Sequence, residues 1–299
     1  MPDDEPLALP DSAPIEAPQQ TPLFHSLEQA RYVRQTQIRM IEERTGRRLI
    51  SYVAGPGTSI GSYDIPPFVD LLHDIDPGSD LDLLLQTPGG DVDQAERIVL
   101  MCRKRVRDKA FRVIVPDSAK SAGTLIAIAA DEIVMGEPSE LGPIDPQITI
   151  ATASGELMTR PAQSILDGLQ AIIDSAEDQL SPAYFPLLDK LDPALIDFCK
   201  KALSRSEQFA ERFLSAHMLS DNKRKAKKVA HELNAIEKHL SHGAVIDAER
   251  AAGMGLKVRT LEPADDLWQA LWRLYVDQRI SLPNAQSRLF EGRKTSLLL

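Results

Sequence analysis

The stretch LDLLLQTPGGDVDQAERIVLMCRKRV, residues 81–106, carries a buried-strand run, a small-residue turn and a helical pattern in direct succession. Leu81 to Gln86 is short and apolar, as a strand covered on both faces is. Val92, Ala95, Ile98, Val99 and Cys102 then recur at helical spacing. Thr87-Pro88-Gly89-Gly90 makes the turn between the two. The same order repeats downstream: Phe111 to Val115 reads as a strand, Lys120-Ser121-Ala122-Gly123-Thr124 as the turn, and Ser121 to Ala130 as the helix. Upstream, Arg48 to Ala54 reads as a strand, Pro66 to Ile75 as a helix and Pro77-Gly78 as a turn. Strands alternating with helices over residues 48–150 specify an α/β domain with a largely parallel sheet.

A diglycine and a serine, each opening a helix, put backbone N–H groups around one hydroxyl. Acyl transfer needs that combination: a nucleophile, and free amides to hold the oxyanion its attack creates. Each half has another reading when taken alone. Serine is a favoured N-cap, and a Gly-rich turn serves a tight bend or a phosphate. No G-x-x-x-x-G-K-[ST] pattern occurs, which argues against a nucleotide P-loop.

The remainder of the 299 residues sets the context. Residues 1–22 combine prolines at positions 2, 6, 10, 14, 18 and 22 with acidic residues, and read as a disordered tail. Residues 23–47 read as an N-terminal helix, with Ser26 as its cap and Gly46 as its stop. Helical patterns dominate from Pro161 to His239, broken at Ser181-Pro182 and Asp192-Pro193. Gly243 to Ile246 and Gly255 to Val258 read as strands flanking the helix Asp247 to Gly253. Residues 261–299 read as a helix capped by Asp265-Asp266, bearing Trp268 and Trp272, followed by a tail. The net charge of -10 disfavours a nucleic-acid binder, and the run Lys223, Arg224, Lys225, Lys227, Lys228 reads as a solvated helix face. Cys102 and Cys199 stand far apart in no CxxC or Cys/His cluster, and His25, His73, His217, His231 and His239 have no ligand spacing, so no metal or cofactor is expected. With no Lys or Arg before Arg31 and no apolar run of membrane length, the expectation is a soluble cytoplasmic protein.

TPGG before a helix, KSAGTLIAIAADEIVM, SELGPIDPQ and SHGAVIDAERAAGMGLKV together resemble the Clp protease/crotonase superfamily. Within it, the chain is most similar to the serine dehydrogenase proteinase family of signal-peptide-peptidase-A-like proteins. The resemblance spans roughly residues 48–260. It implies an α/β fold of repeated strand-strand-helix turns with additional C-terminal helices. It also implies a serine peptidase that acts on peptides or unfolded proteins within a homo-oligomer. No ATPase module is encoded, so energy-dependent unfolding needs a separate partner. By resemblance, Ser121 matches the nucleophile, Gly90 the oxyanion-hole glycine and Ala122 the second amide. The base does not carry over directly. Asp145 stands where the Clp proteolytic subunit has histidine, and His242 lies where that family has aspartate, so acid and base are exchanged. A triad is defined by geometry and not chain order, which permits His242 as base with Asp145 orienting it. The alternatives are a Ser/Lys dyad using Lys120, Lys190, Lys200 or Lys201, a non-catalytic scaffold of the same fold, and an acyl-coenzyme A enzyme that uses the two amides without Ser121.

Overall fold

The computed structural model describes residues 21–151, 155–175, 192–235, 239 and 241–299. The expected tail lies outside the described residues except for Thr21 and Pro22, which begin the first helix. Helix α1 (Pro22–Thr45) is capped by Thr21, whose hydroxyl accepts from the Phe24 amide, and Pro22 occupies its first turn. It therefore starts earlier than a Ser26 cap would have it, because proline's fixed φ suits the first helical position. Gly46 stops it with φ 67°.

Next come β1 (Arg48–Ala54), α2 (Ile65–His73), β2 (Leu81–Gln86), α3 (Val92–Val106), β3 (Phe111–Val115), β4 (Ser118–Ala119), α4 (Ala122–Ile128) and β5 (Glu132–Met135). After them stand β6 (Glu140–Leu141) and a hairpin of β7 (Gln147–Ala151) and β8 (Leu157–Pro161) that the sequence reading lacked. The helical region comprises α5 (Ala162–Asp174), α6 (Pro193–Ala216) and α7 (Lys223–Asn234). The expected break at Ser181-Pro182 falls outside the described residues, whereas Asp192 caps α6 and Pro193 opens it. The chain ends with α8 (Ala248–Met254), β9 (Val258–Thr260), α9 (Asp266–Ile280), β10 (Arg288–Gly292) and β11 (Ser296–Leu298).

One seven-stranded sheet organises the molecule in the order β11-β10-β1-β2-β3-β5-β9. The five strands from β1 to β9 are parallel, and β10 and β11 join antiparallel beyond β1. Parallel strands are covered on both faces, and side chains alternate between two cores. Leu83, Leu85, Val113 and Met135 face a core with Phe68, Ile98, Ile126, Phe209 and Val229 from α2, α3, α4, α6 and α7. Leu84, Ile114 and Val134 face the other, where Ile38 and Ile41 of α1 meet Trp268, Leu271 and Leu274 of α9. Trp268 also lies against Gly136, where an added Cβ would sit 2.4 Å from its ring.

The C-terminal segment departs from the sequence reading. Residues 288–298, expected as a tail, form two sheet strands, because β10 fits against β1 in register from Ile50↔Gly292 to Ala54↔Arg288. A buried polar network secures it: the Arg34 guanidinium donates to both oxygens of Glu291 at 2.9 and 2.8 Å, and Gln278 donates to Glu291 and to Ser51. Two smaller differences concern the late strands. The Gly243 to Ile246 strand is reduced to a single bridge between Ile246 and Leu141, and the last parallel strand begins at Val258 instead of ending there.

Candidate active site

The two small-residue turns stand side by side. Thr87 donates its amide to Ser118 O (2.9 Å) and accepts on its carbonyl from Lys120 N (3.1 Å), so the chain leaving β2 runs beside β4. Both glycines lie in the left-handed region, at φ 108° for Gly89 and 146° for Gly90, where glycine is favoured. The approach also excludes a side chain. A Cβ on Gly89 would fall 2.8 Å from Ser121 Cβ, and one on Gly90 would fall 2.3 Å from Ile60 N. Ile60 brackets the turn, donating to Gly89 O (2.7 Å) and accepting from Asp91 N (2.9 Å). Gly89 N donates to Thr87 Oγ1 at 3.2 Å. The Gly90 amide, between these engaged neighbours, has no acceptor among the described residues.

Ser121 has φ 51° and ψ -116°, and among the described residues it shares a positive φ outside glycine only with Arg107. Such backbone costs about 1–3 kcal/mol and persists only where its surroundings over-determine it. It occupies the cap position of α4, yet its side chain caps nothing. The N-cap explanation of this serine is thereby removed. Ala122 opens the helix, where an amide has no intrahelical acceptor, and its N–H is likewise unpaired among the described residues. Thr124 anchors the turn: its hydroxyl lies 2.7 Å from Ala119 O and 2.9 Å from Gly142 O, and it accepts from Gly142 N at 3.0 Å.

The other half of the site comes from two distant loops. Leu141 and Ile246 exchange backbone hydrogen bonds of 2.9 and 3.1 Å, which lays the chain after β6 beside the chain before α8. Lys120 Nζ ties both to the serine turn, donating to Leu141 O (3.1 Å) and Ala244 O (3.3 Å) and pairing with Glu140 (2.9 Å). Asp145 is fully buried, with Oδ1 2.9 Å from His242 Nδ1 and Oδ2 accepting from Gln147 Nε2 at 2.8 Å. A carboxylate only accepts, so this bond assigns a proton to Nδ1. The His242 side chain is 28% exposed.

Asp145 and His242 are therefore brought together, whereas Ser121 Oγ has no hydrogen-bond partner among the described residues. Of the alternative lysines, Lys120 engages its ammonium with Leu141 O, Ala244 O and Glu140, and no bond to Ser121 Oγ occurs among the described residues. Lys201 is exposed and pairs with Asp197, Lys200 is exposed, and Lys190 lies outside the described residues. Thr124 and Gln147 were missed as site residues in the sequence, although both sit inside the quoted motifs.

A groove of about 690 Å³ adjoins the site, between the start of α3, β7 and α6. Val92, Ile148 and Phe198 supply apolar wall, and Asp91, Gln147 and Arg205 supply polar wall. Arg205 bonds Asp93 and Glu96, and Arg212 bonds Glu96 as well, which fixes α6 to α3. Burial alone pushes the Glu96 carboxyl up, but the two guanidiniums outweigh it and hold it below the usual carboxylate range. A larger depression of about 880 Å³ lies between α1 and α9 and contains none of these residues.

The family model for ClpP-like SDH-type serine proteinases matches residues 24–283. The chain belongs to this family. Its α/β fold, with the ClpP-like arrangement implied by the motifs, follows from the same match. Two uncharacterized proteins of Methanocaldococcus jannaschii are 34% identical over 186 residues and 30% identical over 183, covering 62% and 61% of this chain. The chain spans about half the length of these relatives, 55% and 53%. Two solved structures of the 1510-N membrane-bound stomatin-specific protease, one with a substrate peptide, are 16% identical. The matches cover 77% and 73% of this chain and 98% and 99% of theirs, with TM-scores of 0.35 and 0.36. Among the described residues, no helix is long and apolar enough to cross a membrane.

Proposed function

We propose that this member of the family is an active serine endopeptidase that cleaves peptide or unfolded-protein substrates through an acyl-enzyme on Ser121. The observation that carries the reading is the backbone at Ser121: a strained left-handed serine whose hydroxyl caps nothing, set against Gly89 and flanked by unpaired amides at Gly90 and Ala122. In this reading Ser121 Oγ attacks the scissile carbonyl carbon while His242 Nε2 takes its proton. The carbonyl oxygen becomes an oxyanion that accepts from the two amides. His242 then returns the proton to the leaving amine, and water, activated by the same imidazole, releases the acyl group. Asp145 keeps Nδ1 protonated and stabilises the imidazolium. Ser121 Oγ and His242 share no hydrogen bond among the described residues, and in this reading that bond forms when substrate arrives. The site is proposed to work within a homo-oligomer.

The open bond equally favours a second reading, a non-catalytic subunit of the same fold. Family membership favours either over the acyl-coenzyme A alternative. Intact-protein mass after incubation with a fluorophosphonate separates the two. The active reading expects one adduct on the wild type, none on Ser121→Ala, and none on His242→Ala over the same time. An unlabelled wild type supports the scaffold, and a labelled Ser121→Ala moves the nucleophile elsewhere.

A further inference from the structure

Asp145 is a buried carboxylate with two oxygens and two donors. Oδ1 faces His242 Nδ1 at 2.9 Å, and Oδ2 accepts from Gln147 Nε2 at 2.8 Å. The carboxylate is 0% exposed, so no solvent stands in for either donor. Turning it would strand a buried oxygen, at the desolvation cost of an unsatisfied polar group. Gln147 itself is well held. It is the first residue of β7, in register with Pro161, and Ala162 N donates to Pro146 O at 2.8 Å.

We infer that Gln147 is a positioning residue of this site: its amide fixes the Asp145 carboxylate against His242. The inference rests on the reading of Ser121, His242 and Asp145 as a triad and extends it to a fourth side chain. A donor on the far oxygen stabilises the carboxylate's charge and weakens its pull on the imidazole proton. A change of donor at position 147 therefore reaches the imidazole through Asp145. Gln147 also lines the groove beside α6, so one residue borders both that groove and the acid of the triad.

Other charged groups surround this trio. Lys120 pairs with Glu140 beside the loops, Asp91 and Asp93 come from the α3 end, Lys201 and Arg205 from α6, Arg250 from the chain beyond His242 and its partner His239 from the chain before it. None of them changes when residue 147 is replaced. Replacements of similar length change the donor: Gln147→Met has none, and Gln147→Lys has one that also brings a positive charge.

The test is an NMR titration of His242 in the full chain, assigned by its loss in His242→Ala, together with the pH profile of fluorophosphonate labelling. The imidazole is expected to titrate in the order Gln147→Lys, wild type, Gln147→Met, from lowest to highest pH. The acid limb of the labelling rate should move with it. The plateau rate of Gln147→Met should fall about tenfold, the size of one net hydrogen bond. A purely structural role would lower the rate and leave the titration in place, so coincident titration curves in folded variants overturn the inference. Should Gln147→Met not fold, Gln147→Leu, also neutral and without a donor, takes its place. The titration needs no activity. An unlabelled wild type therefore counts against the acyl-enzyme reading, while the order of the curves still judges the hold of Gln147 on His242.

Discussion

The site has two halves built on different principles. The half with Gly90, Ser121 and Ala122 consists of backbone: two turns within 33 residues of one another, rising from adjacent parallel strands and held by main-chain bonds from Thr87, Ile60 and Lys120. The half with Asp145 and His242 consists of side chains 97 positions apart, on loops outside the main sheet. Strands and glycine turns fix the first half wherever the fold forms. The second half depends on a few specific bonds, at Leu141–Ile246, Lys120–Ala244 and Gln147–Asp145. One half is an outcome of folding and the other an attachment to it.

That contrast can be broken at measurable points. Asp145→Asn should have the largest effect, lowering kcat/KM by roughly 10^4-fold through the wrong imidazole tautomer, with the melting midpoint close to wild type. A loss below tenfold in peptide-hydrolysis assays would detach the side-chain half from catalysis. Gly90→Ala should come next, with kcat down about 10^2–10^3-fold and KM much less altered, since the lost contact belongs to the oxyanion. A Cβ there meets the Ile60 backbone, so the turn must shift. An equal rise in KM would show that the turn binds substrate and not the transition state. Thr124→Val should be the mildest, costing about 1–3 kcal/mol in chemical denaturation because the buried Ala119 and Gly142 carbonyls and the Gly142 amide lose the hydroxyl as partner. If its activity loss matched that of Asp145→Asn, the halves would be one unit and the distinction would fail.

The same contrast explains what could be read from the sequence. Arg48–Ala54, Leu81–Gln86 and Phe111–Val115 are buried strands whose apolar runs stop at turn residues, and all three occur with those limits. The serine turn was legible as a small-residue break between a strand and a helix. Its positive φ was not, because nothing in KSAGT announces a strained serine until the Gly89 backbone is seen packed against it. The juxtaposition of His242 and Asp145 had no local signal at all and rested on a family comparison with its roles exchanged. Gln147 and the β7–β8 hairpin escaped notice because QITIA and LMTRP are largely exposed or half-buried and lack the apolar run that marks the equally short Phe111–Val115. The C-terminal strands escaped for a related reason. RLFEG and SLL become strands through pairing with β1 and with each other, and neither declares itself alone.

The pairing of β1 with β10 also bears on how the chain is made. β1 belongs to the first fifth of the sequence and its antiparallel neighbour to the last. While synthesis proceeds, β1 has β2 on one side and an open row of amides and carbonyls on the other, the kind of edge that recruits foreign strands. Arg34 meanwhile waits for Glu291, 257 residues later. So long a loop makes closure slow relative to the local βα units. The nascent protein therefore carries an unfinished sheet until residues 288–298 emerge, and anything that shields that edge on the ribosome protects the yield of folded protein.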